Sequence, residues 1–437
     1  MNNITQVAEV IQTVLTTNID NIARETGFVQ RSSKLTGRVF VQATVFGWLA
    51  NPCAPLSALA QDIAALGVHI TPQGLDQRFT RQAAAFLKRI LNAVVAQVIA
   101  VDPGTIPLLQ RFTSVVVQDS STITLPSELS EVWSAGGGSP QKDNAAIKLQ
   151  VRVDLLNGTL TGPLLQDGCR HDHSSPFQAM PLPSGALWLA DLGYFSLDVL
   201  RDLDVRGAFF LSRLQVQTVI FDSTGNRLDL LRLLQTANEI DIPVSIGLTH
   251  RLSVRLLAVR VAEGVANERR RKLKAEARHK GQKVSKARID LADWTILITN
   301  APAALISVSE ALVLARVRWQ IELMFKLWKQ HGRIDEWRSD KPWRILSELY
   351  AKLIAMIIQH WLLLVGCWAY PNRSLVKAAQ TIRSYAQMLL CAMASIIEMT
   401  TVIEHIHNCL ASTGCRMNHR KTKPNTYQLL LELPNAA

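Results

Sequence analysis

The spacing of apolar positions changes twice along the chain. Up to about residue 108 they recur at helical intervals. Pro55–Ala65 reads as an amphipathic helix that Gly67 ends. A second helix is predicted to start at Thr71-Pro72, with Thr71 as N-cap and Pro72 in the first helical position. From about residue 111 the period is that of strands. Phe112–Gln118 contains Val115-Val116-Val117, a run suited to a strand buried on both faces. After a Gly136-Gly137-Gly138 loop come Ile147–Leu156 and Thr159–Leu165, separated by Asn157-Gly158, which predicts a hairpin. Ala186–Ala190 and Ala208–Leu211 are further strands, with a helix over Ser196–Leu203 between them. Residues 213–300 hold short β-like runs (Thr218–Phe221, Val244–Leu248, Val254–Val261, Thr295–Ile298) around a basic stretch from Glu268 to Arg288. Ser307 and Glu310 form a capping box at the head of a helix predicted to run to about Gln330, and residues 345–410 read as apolar helices.

The order is strand, hairpin, strand, helix, strand: a mixed α/β sheet interrupted by a mostly β insertion, with helices before and after. It divides as 1–108, helical; 109–212, first part of an α/β core; 213–300, β-rich insertion; 301–370, second part of the core; and 371–437, helical. Leu353–Trp368 is the most apolar stretch, but Gln359 and His360 interrupt it and it is short for a membrane span, so a buried helix is expected. The N-terminus lacks the pattern of a signal peptide, and the expected location is the cytoplasm.

Composition adds one fact. Lys and Arg total 47 against 35 Asp and Glu, a formal net charge of +12, which favours a polyanionic partner. Arg78 and Arg81 then make the 55–76 segment a candidate helix–turn–helix DNA reader, with an ordinary helical hairpin as the other reading. The basic run through Arg270, Arg271 and Lys272 suits a DNA backbone, or is simply a solvated helix face. Six cysteines are sparse and lack the close pairs of common zinc modules, and His171-Asp172-His173, which could mimic a metal site, reads as a polar turn in a Gly- and Ser-rich loop after the hairpin.

Three acids stand where chemistry is expected. Asp119 follows the Val run and Asp191 follows Leu187-Trp188-Leu189-Ala190, each at the end of a predicted central strand, where sheet enzymes place their sites. A strand-terminal Asp that caps a turn is the plain alternative for either alone. Glu322 lies in an apolar helix with Arg318, Lys326 and Lys329 on the same side. A narrow charged stripe of this kind suits a lined site better than a surface ladder.

Arg318-x3-Glu322-x6-Lys329 resembles the YREK signature (Tyr-x2-Arg-x3-Glu-x6-Lys) of DDE transposases from a large family of bacterial insertion sequences. The Tyr position holds Ala315. Asp119 in Gln118-Asp119-Ser120-Ser121-Thr122 and Asp191 in Ala190-Asp191-Leu192-Gly193-Tyr194-Phe195 resemble that family's two aspartates, and the β-rich insertion falls where the family has one. Trp294 is similar to an insertion-domain Trp that stacks on a flipped base, or is plain core.

The resemblance implies a ribonuclease H-like fold and cut-and-paste transposition through a hairpin end. Asp119, Asp191 and Glu322 would be the catalytic carboxylates holding two Mg2+ ions, with Mn2+ as a substitute. Arg318, Lys326 and Lys329 would meet DNA phosphates, with Arg213 in a similar role. The implied partners are terminal inverted repeats and target DNA, with a homodimer in the DNA complex, no membrane, and association with the prokaryotic nucleoid. The alternatives are a nuclease of the same fold without strand transfer, and an impaired, transposase-derived DNA-binding protein, to which Ala315 lends weight.

Overall fold

The computed structural model describes residues 3–31, 33–102, 106–135, 144–368, 370, 372–418 and 428–430. The Gly136–Gly138 loop and the basic end beyond residue 418 lie outside the described residues. The chain forms two compact units that interleave in sequence. One is drawn from within 3–102, 119–170 and 319–418, the other from 106–118, 171–318 and 428–430. Nine strands occur among the described residues: β1 (Val115–Leu125), β2 (Ala145–Asp154), β3 (Leu160–Asp167), β4 (Leu187–Ala190), β5 (Phe209–Arg213), β6 (Ile220–Phe221), β7 (Glu239–Ile246), β8 (Leu252–Arg260) and β9 (Trp294–Thr299).

In the second unit the strand order is β1-β4-β5-β9-β8-β7-β6. β1 pairs with β4, and β4 with β5, in parallel; the remaining pairs are antiparallel. Val115–Gln118 and Leu187–Ala190 are wholly buried, as strands covered on both faces must be. The 197–205 helix connects β4 to β5, and its Leu200 packs with Val116, Trp188 and Phe210.

The expected insertion strands form, but they continue the core sheet. Asn300 pins the junction: its side chain accepts from Phe210 N–H at 2.9 Å and donates to the Ala208 carbonyl at 2.9 Å. The Thr299 hydroxyl donates to the Phe210 carbonyl at 2.6 Å. These bonds satisfy buried polar groups of β5 and β9 that a separate insertion sheet would leave open.

In the first unit the order is β3-β2-β1, and helices complete the core. Its centre is the 26-residue helix Pro342–Cys367. By length and composition it could cross a membrane, yet 94 % of its apolar window is buried inside the protein. The 37–50 and 81–95 helices pack on it. Thr36, Thr71 and Thr80 cap their helices through side-chain oxygens, Thr71 as expected, with Pro72 following it. The expected hairpin is β2–β3. Gly158, at φ +75°, carries a carbonyl 2.8 Å from His360 Nε2. A Cβ on Gly158 would fall 2.2 Å from Leu364 Cδ2, so only glycine fits this approach to the central helix.

One ion pair lies deep in this unit. Lys352 Nζ is 2.7 Å from Glu348, with side chains 2 % and 3 % exposed. The same ammonium donates to the carbonyls of Arg333 at 3.0 Å and Glu336 at 2.7 Å. Its three donors are thus all used, and they fix the turn where Arg333 sits at φ 45°. Lys352→Met strands a buried carboxylate and two carbonyls. We expect a loss of about 3–5 kcal/mol, and recovery of most of it in Lys352→Met/Glu348→Leu, read from urea unfolding midpoints. A single variant no less stable than the double would contradict this account.

Candidate active site

Asp191 stands directly after β4, where its backbone starts a single 3-10 turn, Leu192–Tyr194. Its carboxylate is 3.7 Å from the guanidinium of Arg318. Both line a small cavity in the second unit together with Arg213, Ala315, Ser212 and Leu297. Its volume is about 20 Å³, room for one water. Four residues named from the sequence, Asp191, Arg213, Ala315 and Arg318, therefore meet here. At Ala315, the position of the signature Tyr, a methyl group lines this cavity.

The helix delivering Ala315 and Arg318 starts at the expected capping box. Glu310 N–H donates to Ser307 Oγ, and Glu310 Oε2 accepts from Ser307 N–H at 2.8 Å. Arg111, which the sequence did not mark, adds an ion pair to Glu310 at 2.8 Å. Burial alone would raise the Glu310 carboxyl, but the Arg111 and Ser307 hydrogen bonds outweigh it and hold the pKa below the ordinary value.

The single helix expected to reach Gln330 is instead three segments. The first, Val308–Val317, ends at Arg318; the second is Trp319–Lys326; the third, Leu327–His331, is a π-helix. Glu322 is half-buried on the second and Lys326 is exposed. Lys329 lies in the π-helix, so the uniform helical side expected for the four charged residues is not kept. Its ammonium donates to the Thr122 carbonyl of β1 at 3.0 Å, within the first unit. Asp119 is half-buried on β1, and its carboxylate accepts from Ser120 N–H at 2.8 Å. It does not end the strand as expected. β4 stops at Ala190, whereas β1 continues to Leu125 beside β2. Trp319, three residues before Glu322 and beside the charged stripe, is 51 % exposed.

The insertion uses much of its own charge. Arg269 donates to the Trp294 carbonyl at 2.8 Å and to Thr295 Oγ1 at 3.0 Å. Burial, then the nearby Arg213 charge, lowers its pKa. Arg270 pairs with Asp293, and Lys272 with Glu268 at 2.8 Å. Arg271 is exposed. Trp294 packs against the cluster of Leu234, Ile240 and Ala258. Among the described residues, no group of three or more His, Cys, Asp or Glu that could hold a metal ion is found.

A family model described as "Transposase DDE domain" matches residues 110–358, more than half of the chain. The chain belongs to the DDE transposases. The transposase for insertion sequence element IS231E of Bacillus thuringiensis subsp. finitimus is 27 % identical over 94 % of this chain and 92 % of its own. That for IS231C of B. thuringiensis subsp. berliner is 29 % identical over 78 % and 76 %. That for IS1151 of Clostridium perfringens is 27 % identical over 78 % and 76 %. The protein is thus a bacterial insertion-sequence transposase, an enzyme acting on DNA in a family that generally uses a divalent metal. The nuclease and binding-only alternatives are not favoured.

The Arg111–Glu310 pair seats the helix that carries Ala315 and Arg318, and it makes a pH prediction. Unfolded chains take up this proton near 4.5, folded ones only at lower pH. The pair's contribution is therefore present above 4.5 and is lost as pH falls through the folded value. Glu310→Gln is expected to cost about 1–3 kcal/mol at pH 7, with the difference from wild type shrinking toward pH 3 in thermal melts. A difference independent of pH would refute it.

Proposed function

We propose that Asp119, Asp191 and Glu322 are the catalytic carboxylates of this transposase, that they come together on two magnesium ions in the DNA complex, and that manganese substitutes. The donor set fits: three carboxylates offer only oxygen ligands, as a small hard cation requires. A positive group, the Arg318 guanidinium, already stands 3.7 Å from Asp191. The observation that carries the reading is the β1–β4 ladder, in which Gln118 lies opposite Ala190 and the next residue in the chain after each is an aspartate. Bound magnesium would activate the attacking oxygen and stabilise the leaving one.

The chain's own residues bind and orient the DNA. Arg318, Lys326, Lys329 and Arg213 meet phosphates near the scissile bond. Arg271 and Lys272 follow the backbone farther out, and Arg270, through Asp293, seats their helix on the insertion. Trp319 offers an open aromatic face to an unstacked base, and Trp294 the part of its ring that the insertion core leaves free. The helices over 56–76 read the terminal inverted repeats. Two copies pair the ends, each end is nicked, and the freed 3′-hydroxyl closes a hairpin that reopens and joins target DNA at the nucleoid. With Ala315 in place of Tyr, one phosphate contact is missing from hairpin binding.

Duplex DNA carrying the element's own ends, incubated with magnesium, tests this reading. Wild type is expected to nick at the ends and give hairpin products on denaturing gels. Glu322→Ala should bind equally and cut slower by about three orders of magnitude or more. Equal cutting by both proteins would remove Glu322 from the site.

A further inference from the structure

A second concave feature lies in the same unit as Asp191. It is a cleft of about 360 Å³ whose lining includes Phe195, Leu197, Gln215, Gln217, Thr218 and Leu248. Its walls are tied together. The Arg201 guanidinium donates to the His250 carbonyl at 2.8 Å, fastening the 197–205 helix to the turn between β7 and β8. Gly247 N–H donates to the Val219 carbonyl at 3.0 Å, fastening that turn to the segment entering β6. Gly247 has φ +99°, and a Cβ there would come 3.0 Å from Leu197 Cδ1, so the turn sits directly on the helix. A cleft held this way needs little ordering when it binds.

The lining is neutral. It contains no Asp, Glu, Lys, Arg or His. Gln215 and Gln217 are exposed, and among the described residues neither side-chain amide has a hydrogen-bond partner. Phe195 and Leu197 are half-buried against the sheet core and form an apolar floor. Leu248, 71 % exposed, is an apolar edge. Phosphates are met mainly by arginine, lysine and bare backbone N–H groups. An unstacked base asks for apolar faces and for neutral donors and acceptors at its edge. A glutamine amide presents one donor and one acceptor side by side, the pair that adenine matches. The loop holding Phe195 begins at Asp191, so four residues of chain connect the cleft to that carboxylate.

We propose that this cleft takes one unstacked base of the DNA end being processed, adenine fitting best, and that Gln215 and Gln217 read its edge. The inference rests on the catalytic role given to Asp191. It adds a sequence-discriminating contact inside the catalytic unit, separate from the N-terminal helices.

The test uses a duplex bearing the element's own end, with each base pair near the cleavage point replaced in turn. Binding and cleavage are measured for wild type and for Gln215→Ala/Gln217→Ala. Wild type should discriminate at one or two positions by about tenfold or more, the size of one good bidentate base contact. The double variant should lose that discrimination there and match wild type elsewhere. 8-Azidoadenine at the same position should photocrosslink to a peptide containing Phe195 or Leu248. An unchanged profile, or a uniform fall on every sequence as for a lost phosphate contact, would overturn the proposal. Asp191→Asn separates the two ideas: it should stop cleavage and keep the binding profile. Continued cutting by Asp191→Asn overturns the role of Asp191 while the base-reading profile is judged by itself.

Discussion

Four rungs of parallel ladder, Val115–Gln118 against Leu187–Ala190, set the terms for the second unit. Every residue in them is buried, so each backbone polar group must find its partner in the sheet. The one long polar side chain inside, Gln118, is satisfied by Trp188, whose indole N–H donates to it at 3.3 Å. Parallel pairing demands a crossover, and the 197–205 helix supplies the one from β4 to β5. Where the ladder ends, water becomes available again, and an aspartate follows on each strand. An acid one residue earlier on either strand would face the cost of burying a charge.

The helix that presents Arg318 is governed by a different force. Its start is fixed by hydrogen bonds to Glu310, and its end by a break one residue after Val317. The π turn at Leu327–His331 then changes the rotation between Glu322 and Lys329, and Lys329 meets a carbonyl of β1. Positioning here depends on a few polar groups, each with a defined partner, placed along helices whose other faces are apolar core.

Much of this was legible in the residues. The Val run, the Asn157-Gly158 turn, the Thr71-Pro72 start and the Ser307–Glu310 box are local signals, and each formed as read. The fold class and the family followed from their order and from the motif around Glu322. What failed to show was decided by distant contacts. The sequence of β9 says it is a strand but not that Asn300 locks it onto β5. Helical periodicity cannot distinguish one helix from two with a π turn, because the apolar spacing is nearly the same. Net charge was readable but its use was not: Arg269 and Arg270 are spent inside the insertion, and Arg255 on Asp241 and the carbonyls of Ala301 and Ile306. The predicted basic surface is accordingly smaller than the formal charge suggests.

The insertion lengthens the sheet and finishes it with β6, a strand of two residues whose Phe221 ring is covered by the Arg251 guanidinium 3.8 Å from its centroid. An outer strand this short leaves almost no row of open amides and carbonyls for another chain to pair with. At this end of the sheet, edge-to-edge pairing with a second chain is thereby disfavoured, and the insertion closes the sheet as well as lengthening it.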